Sequence, residues 1–154
     1  MNDNDVAWFA GLMDGEGSIS TVRDKGSVVA RVQCCMTCGR TIARMLDLLR
    51  EWGIRGAGYC DQEKKPERHK PSHHLRVCRL ADVGLLAGLM EPYAVTKQEN
   101  WTLIREFAES RLSGCGLDSL GRVRRGGRVS RKPFTVRELA IHDELRVINH
   151  RGPS

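Results

Sequence analysis

No apolar run in this 154-residue sequence approaches the ~20 residues that a membrane-spanning helix needs, which sets aside the helical membrane class. The opening stretch, MNDNDVAWF, has neither the basic start nor the cleavage site of an export signal. An intracellular, soluble protein with no membrane partner is therefore expected. No internal repeat is present. Cys35 and Cys38 form one CxxC with no second copy, and Cys34, Cys60, Cys78 and Cys115 do not supply one. Structural zinc is accordingly not expected, and the thiols read as reduced side chains. His69, His73 and His74 lack the spacing of a helical ligand pair. Acid is scarcer than base, 19 residues against 25, and the net charge of +6 points toward a polyanionic partner without requiring one.

What is present fits a single domain spanning 1–154, long enough to enclose a core. Residues 5–14 predict a helix behind N-capping Asn and Asp, broken by Gly15 and Gly17. Strands are expected over Ser18–Arg23 and Val28–Cys35 around an Asp-Lys-Gly turn. Thr41–Trp52 carries Ile42, Met45, Leu46 and Leu49 at helical spacing and stops at Gly53. Gly58–Asp61 and His74–Cys78 predict a second strand pair. Helices follow over Leu80–Met90, Thr96–Leu112 and about 135–147, with a Gly/Arg-rich loop over 113–133. This order is α+β, one four-stranded sheet with helices on one face. Val28, Ala30, Val32 and Cys34 alternate with Val29, Arg31, Gln33 and Cys35, so one sheet face suits a core and the other a polar partner.

Ala7, Gly11 and Gly15 fall on one stripe of the first helix. Two glycines in a short helix cost roughly 1 kcal/mol each against alanine, and close helix–helix contact is a compensating reason. The stripe occurs once, so its partner is either another segment of this chain or the same helix of a second copy across a two-fold axis. Asp14 and Glu16 lie at the negative end of the helix dipole. A hard divalent cation would neutralise them, and solvation in a turn is the plainer alternative.

Phe9-Ala10-Gly11-Leu12-Met13-Asp14-Gly15-Glu16-Gly17 resembles the LAGLIDADG motif of homing endonucleases, in the form with Glu as the final acid. The likeness continues in family order: Leu46 to Ile54 resembles the end of the first long helix. Pro92-Tyr93 with Lys97-Gln98 resembles a "PYL…K" segment, and Asn149 with Arg151-Gly152 resembles an "N-x-RG" ending. The resemblance implies an αββαββα fold whose saddle-shaped antiparallel sheet enters the major groove of double-stranded DNA. A single motif implies a homodimer meeting through Ala7, Gly11 and Gly15. The implied activity is site-specific hydrolysis of both DNA strands at a long pseudo-palindromic site, as in intron homing, with Mg²⁺ or another divalent cation and no small-molecule cofactor. Glu16 and the Gly15 carbonyl are the implied metal ligands. Lys97 would stabilise charge at the phosphate, and Arg40 would be a second basic catalytic residue. A water-ordering position after the second strand falls near Met36 and Thr37, of which Thr37 has the polar side chain. Non-cleaving intron RNA maturases and DNA-binding repressors share the resemblance.

Between Gly121 and Lys132 stand Arg122, Arg124, Arg125, Arg128, Arg131 and Lys132 with no acid, a run suited to phosphate contact. Lys64, Lys65, Arg68 and Lys70 extend that surface. Arg31, Gln33, His74 and Arg76 are the outward sheet residues expected to read base edges, Arg and Gln being the types that pair bidentately with guanine and adenine.

Overall fold

A computed structural model of the protein describes residues 2–24, 26–61, 72–113 and 133–151. The order is α1 (Asp3–Glu16), β1 (Gly17–Asp24), β2 (Ser27–Met36), α2 (Gly39–Glu51), β3 (Ala57–Asp61), β4 (His73–Val77), α3 (Leu80–Met90), α4 (Gln98–Leu112) and α5 (Val136–Arg151). The strands make one antiparallel sheet in the order β1-β2-β4-β3. The α+β class expected from the sequence is the one observed.

Asn2 caps α1, its side-chain oxygen accepting the Asn4 N–H at 3.1 Å. Val6, Phe9, Ala10 and Met13 recur at helical spacing and are buried, so this face of α1 enters the core. Phe9 meets the edge of Trp52 with ring centroids 5.3 Å apart. Gly26, at φ +82°, allows the tight β1–β2 turn, and Gly53, at φ +80°, ends α2 by a left-handed step. Leu48 rather than Leu46 joins Ile42, Met45 and Leu49 as the fully buried set of α2, while Leu46 packs half-buried beside them.

The alternation in β2 holds. Val28, Ala30, Val32 and Cys34 are buried, as are Leu75 and Val77 of β4, with Trp101 and Phe107 of α4 in the same core. The opposite face carries Arg31, Gln33 and His74, half-buried, and Cys35 and Arg76, exposed.

Several boundaries differ from the sequence expectation, and three of the differences are informative. Helix α1 runs through Gly15 to Glu16 and closes at Gly17, whose N–H donates to the Met13 carbonyl. A Cβ at Gly17 would lie 2.6 Å from that carbonyl oxygen, so the stop depends on this glycine and not on Gly15. Helix α4 starts at Gln98, two residues late, and the N–H groups of Val95, Thr96 and Lys97 just ahead of it donate to the Asp14 carboxylate. Helix α5 extends to Arg151. The basic positions Arg122, Arg124, Arg125, Arg128, Arg131 and Lys132 lie outside the described residues, as do Lys64, Lys65, Arg68, His69, Lys70 and Cys115.

Candidate active site

The C-terminal end of α1 gathers the chemistry. A helix leaves its last carbonyls without intrahelical partners and is negative there, so it favours a cation and disfavours a carboxylate. Lys97 supplies the cation: its Nζ donates to the carbonyls of Met13 at 2.8 Å and Asp14 at 2.6 Å. Asp14 resolves its own position by reaching the start of α4. Its carboxylate accepts the N–H of Val95 at 2.7 Å, Thr96 at 3.2 Å and Lys97 at 3.0 Å, where a negative charge is favoured. The carboxylate misplaced on one helix is therefore the cap of another. Burial pulls the Lys97 ammonium below the ordinary lysine range, and Asp14, Cys34 and Glu16 oppose that pull.

Glu16 follows and is exposed. The β1–β2 register opens on the pair of Gly17 and Cys34, whose chain neighbours are Glu16 and Cys35. These last two line a shallow cleft of about 240 Å³ with Met36, Thr37, Cys38 and Ser72. Cys34 lies beneath, and burial, aided by Glu16 and Cys35, pushes its thiol up to about 11 against the opposing Lys97, so it stays neutral. Cys38 stands at the N-terminus of α2, where the Thr41 hydroxyl, the Thr41 and Arg40 amides and the Arg40 charge hold its thiol below the usual range.

The outward sheet face continues from this cleft. Gln33 pairs in register with Ser18 on one side and Arg76 on the other, and Arg31 pairs with Ser20. His74 is opposite Cys35, with its Nε2 3.5 Å from Cys35 Sγ and 3.1 Å from Ser72 Oγ. It thus sits at the Glu16 end, while Gln33 and Arg76 form the next row. The Nε of Arg31 is buried without a hydrogen-bond partner among the described residues.

The structure therefore brings Gly15, Glu16 and Lys97 to one helix end, and sets Arg31, Gln33, His74 and Arg76 on one face. Arg40 is exposed in the first turn of α2, near Cys38 but not lining the cleft. Met36 and Thr37 both reach the cleft, and Thr37 is the exposed polar one. Ala7, Gly11 and Gly15 are exposed, and a Cβ built on either glycine meets nothing within 4 Å. Sequence reasoning missed the role of Asp14 and that of Asn149, which donates to the Ile19 carbonyl at 3.0 Å and accepts from Asn100 Nδ2 at 3.2 Å. Asn100 is in the first turn of α4, so this amide pair ties the helix that follows Lys97 to the strand that follows Glu16.

The chain superimposes on the homing endonuclease I-CvuI, solved with its DNA target in the presence of calcium, at a TM-score of 0.59 and 14% identity, covering 95% of this chain and 82% of that one. The fold is that of the LAGLIDADG homing endonucleases. The LAGLIDADG meganuclease I-AabMI, bound to uncleaved DNA, matches at a TM-score of 0.52 and 18% identity over 70% of this chain. The LAGLIDADG homing endonuclease I-GzeII, in complex with a DNA target, matches at 0.52 and 12% over 92%. This chain spans 38% of the first of these two and 43% of the second. No protein-family model and no curated protein matches the sequence. Within the LAGLIDADG fold, the motif helix is α1, and the sheet face bearing Gln33 and Arg76 is the one that its helices leave uncovered.

Proposed function

We propose that this chain is a site-specific, divalent-metal-dependent DNA endonuclease that works as a homodimer on a long pseudo-palindromic site. One observation carries the reading: an exposed carboxylate, Glu16, and an ammonium, Lys97, are fixed at the same end of one helix, beside a polar sheet face on a fold whose solved examples include DNA complexes. The available donors suit a hard cation, the Glu16 carboxylate and the Gly15 carbonyl both being oxygen ligands. Among the described residues no three His, Cys, Asp or Glu side chains cluster to hold a metal. One chain thus offers an incomplete shell, and a second Glu16 together with DNA phosphate oxygens would complete it. A divalent ion bound there would activate water and stabilise the leaving oxygen.

The remaining roles follow from position. Lys97 stabilises charge on the phosphate, Thr37 orders water in the cleft, and Arg40 approaches from its rim. Arg31, whose Nε has no hydrogen-bond partner among the described residues, joins Gln33 and Arg76 in contacting bases, and His74 lies nearest the cut. Arg122, Arg124, Arg125, Arg128, Arg131 and Lys132 contact phosphates. The homodimer reading rests on the stripe of Ala7, Gly11 and Gly15, flanked by Trp8 at 40% exposure, an apolar surface that is exposed among the described residues. The share of the longer endonucleases that it spans, 38% and 43%, is what half of such a molecule covers.

The test is selection of cut sites from a randomised duplex library with Mg²⁺. Cleaved, pseudo-palindromic sites are expected, with Glu16→Gln binding the same DNA and cutting none of it. Binding without cutting by the native chain would sink the enzyme reading in favour of a repressor, and splicing assistance without cutting would favour an intron RNA maturase.

A further inference from the structure

Asp14 and Lys97 exchange backbones. The carboxylate of Asp14 takes the amides of Val95, Thr96 and Lys97, and the ammonium of Lys97 takes the carbonyls of Met13 and Asp14. Each side chain thus binds the other residue's main chain, closing a ring between the end of α1 and the start of α4. The ammonium has three N–H donors, and two are used, so the third is left for an anionic oxygen. Glu16 is two residues beyond Asp14, so the ring that fixes the lysine also fixes its spacing from that acid.

We propose that Asp14 is a positioning residue that sets Lys97 relative to Glu16, with no contact of its own to the reacting phosphate. The proposal rests on the endonuclease reading. Asp14 is a second acid at the helix end that carries Glu16, yet its two oxygens already accept three amides. Its acid is thus committed to main-chain donors, and its influence on chemistry passes through the lysine.

A double-mutant cycle tests it, using the full chain on its selected DNA site, with single-turnover cleavage at saturating DNA and melting temperature read for each variant. Asp14→Ala should slow the cleavage step roughly 10–100-fold, the range for groups that orient an active-site residue, with DNA affinity nearly unchanged. In a Lys97→Ala background the same substitution should slow it less than about threefold, because groups acting as one unit are non-additive. Asp14→Asn, which keeps an acceptor oxygen, should recover part of the rate and guards against a folding failure of the alanine variant. Full multiplication of the two single effects would overturn the proposal, as would a rate loss that follows the unfolded fraction alone. If the native chain cuts no DNA, the endonuclease reading falls by itself. Amide exchange at Val95, Thr96 and Lys97 then decides the ring, since unchanged exchange in Asp14→Ala would overturn it and faster exchange would support it.

Discussion

Helix α4 has a basic residue and a carboxylate at each end, and the two ends use them differently. At the C-terminal end, Arg111 and Glu138 face each other at 3.4 Å, with side chains 4% and 0% exposed. Glu138 also accepts from Ser110 Oγ at 2.7 Å and the Thr135 N–H at 2.9 Å, while Arg111 donates to the Pro133 carbonyl at 3.2 Å and lies over the Phe134 ring. The charges satisfy one another in the dry interior and hold α5 on α4. At the N-terminal end, Asp14 and Lys97 direct their charges at backbone groups of the opposite helix, and both are only half-buried. A lysine at a helix N-terminus is disfavoured by that helix but favoured by the C-terminus of α1, and Asp14 has the reverse arrangement. One end pairs its charges with each other; the other turns them to main-chain groups and leaves the lysine half-buried.

The largest effect expected from breaking this contrast is at the buried end. Glu138→Ala removes the carboxylate that meets Arg111, Ser110 and the Thr135 amide and should cost about 3–5 kcal/mol, read by chemical denaturation, with cleavage per folded molecule retained. A loss under about 1 kcal/mol would show that the pair does not hold the helices together. Burial alone would raise the Glu138 carboxyl, but Ser110, Thr135 and Arg111 override it and hold it below 4.5. Its contribution is therefore present above pH 4.5 and lost as pH falls through the folded value, an acid sensitivity the alanine variant should lack.

A smaller effect is expected at His142 of α5, buried and 2.7 Å from Thr21 Oγ1. Burial lowers its pKa below 6.5, Arg23 and Arg146 add to this, and Asp143 opposes. The folded state thus favours the neutral ring. Its stabilisation is complete above pH 6.5 and is lost as pH falls through the depressed value. Melting temperature should drop between pH 7 and pH 5 in the native chain and drop less in His142→Gln; equal slopes would exclude this histidine as the cause. The smallest effect belongs to Arg137, which bridges Glu106 and Glu144 at 2.7 and 2.6 Å on an exposed surface. Arg137→Ala should leave the melting temperature within the scatter of replicate scans, since solvent-exposed pairs contribute little.

What the sequence reveals follows from how far each interaction reaches along the chain. The β2 alternation and the ends of α3 were legible because they depend on neighbours: side chains two apart share a sheet face, and Pro92 follows soon after Met90. Thr135 and Glu138 likewise form a capping box visible as a spacing of three, the Glu138 N–H donating to Thr135 Oγ1 at 3.1 Å. Asp14 was not legible as a cap, because its amide partners lie 81 to 83 positions away. For the same reason Gly15 looked like a helix breaker. A local rule counts glycines, whereas the true stop is at Gly17, where a side chain would run into Met13. Glu16 and Lys97 were reachable through the motif resemblance, but periodicity could not show that Lys97 docks on the end of the helix that carries Glu16.

The ring between Asp14 and Lys97 also has a consequence for the growing chain. At roughly 5–20 residues per second, the 83 positions that separate the two take about 4–17 s to synthesise. During that interval the nascent protein displays the acid of α1 and the first hairpin but no lysine to face it. A chain that stalls between the two presents the Asp14 carboxylate with none of the three amides that it accepts in the finished fold.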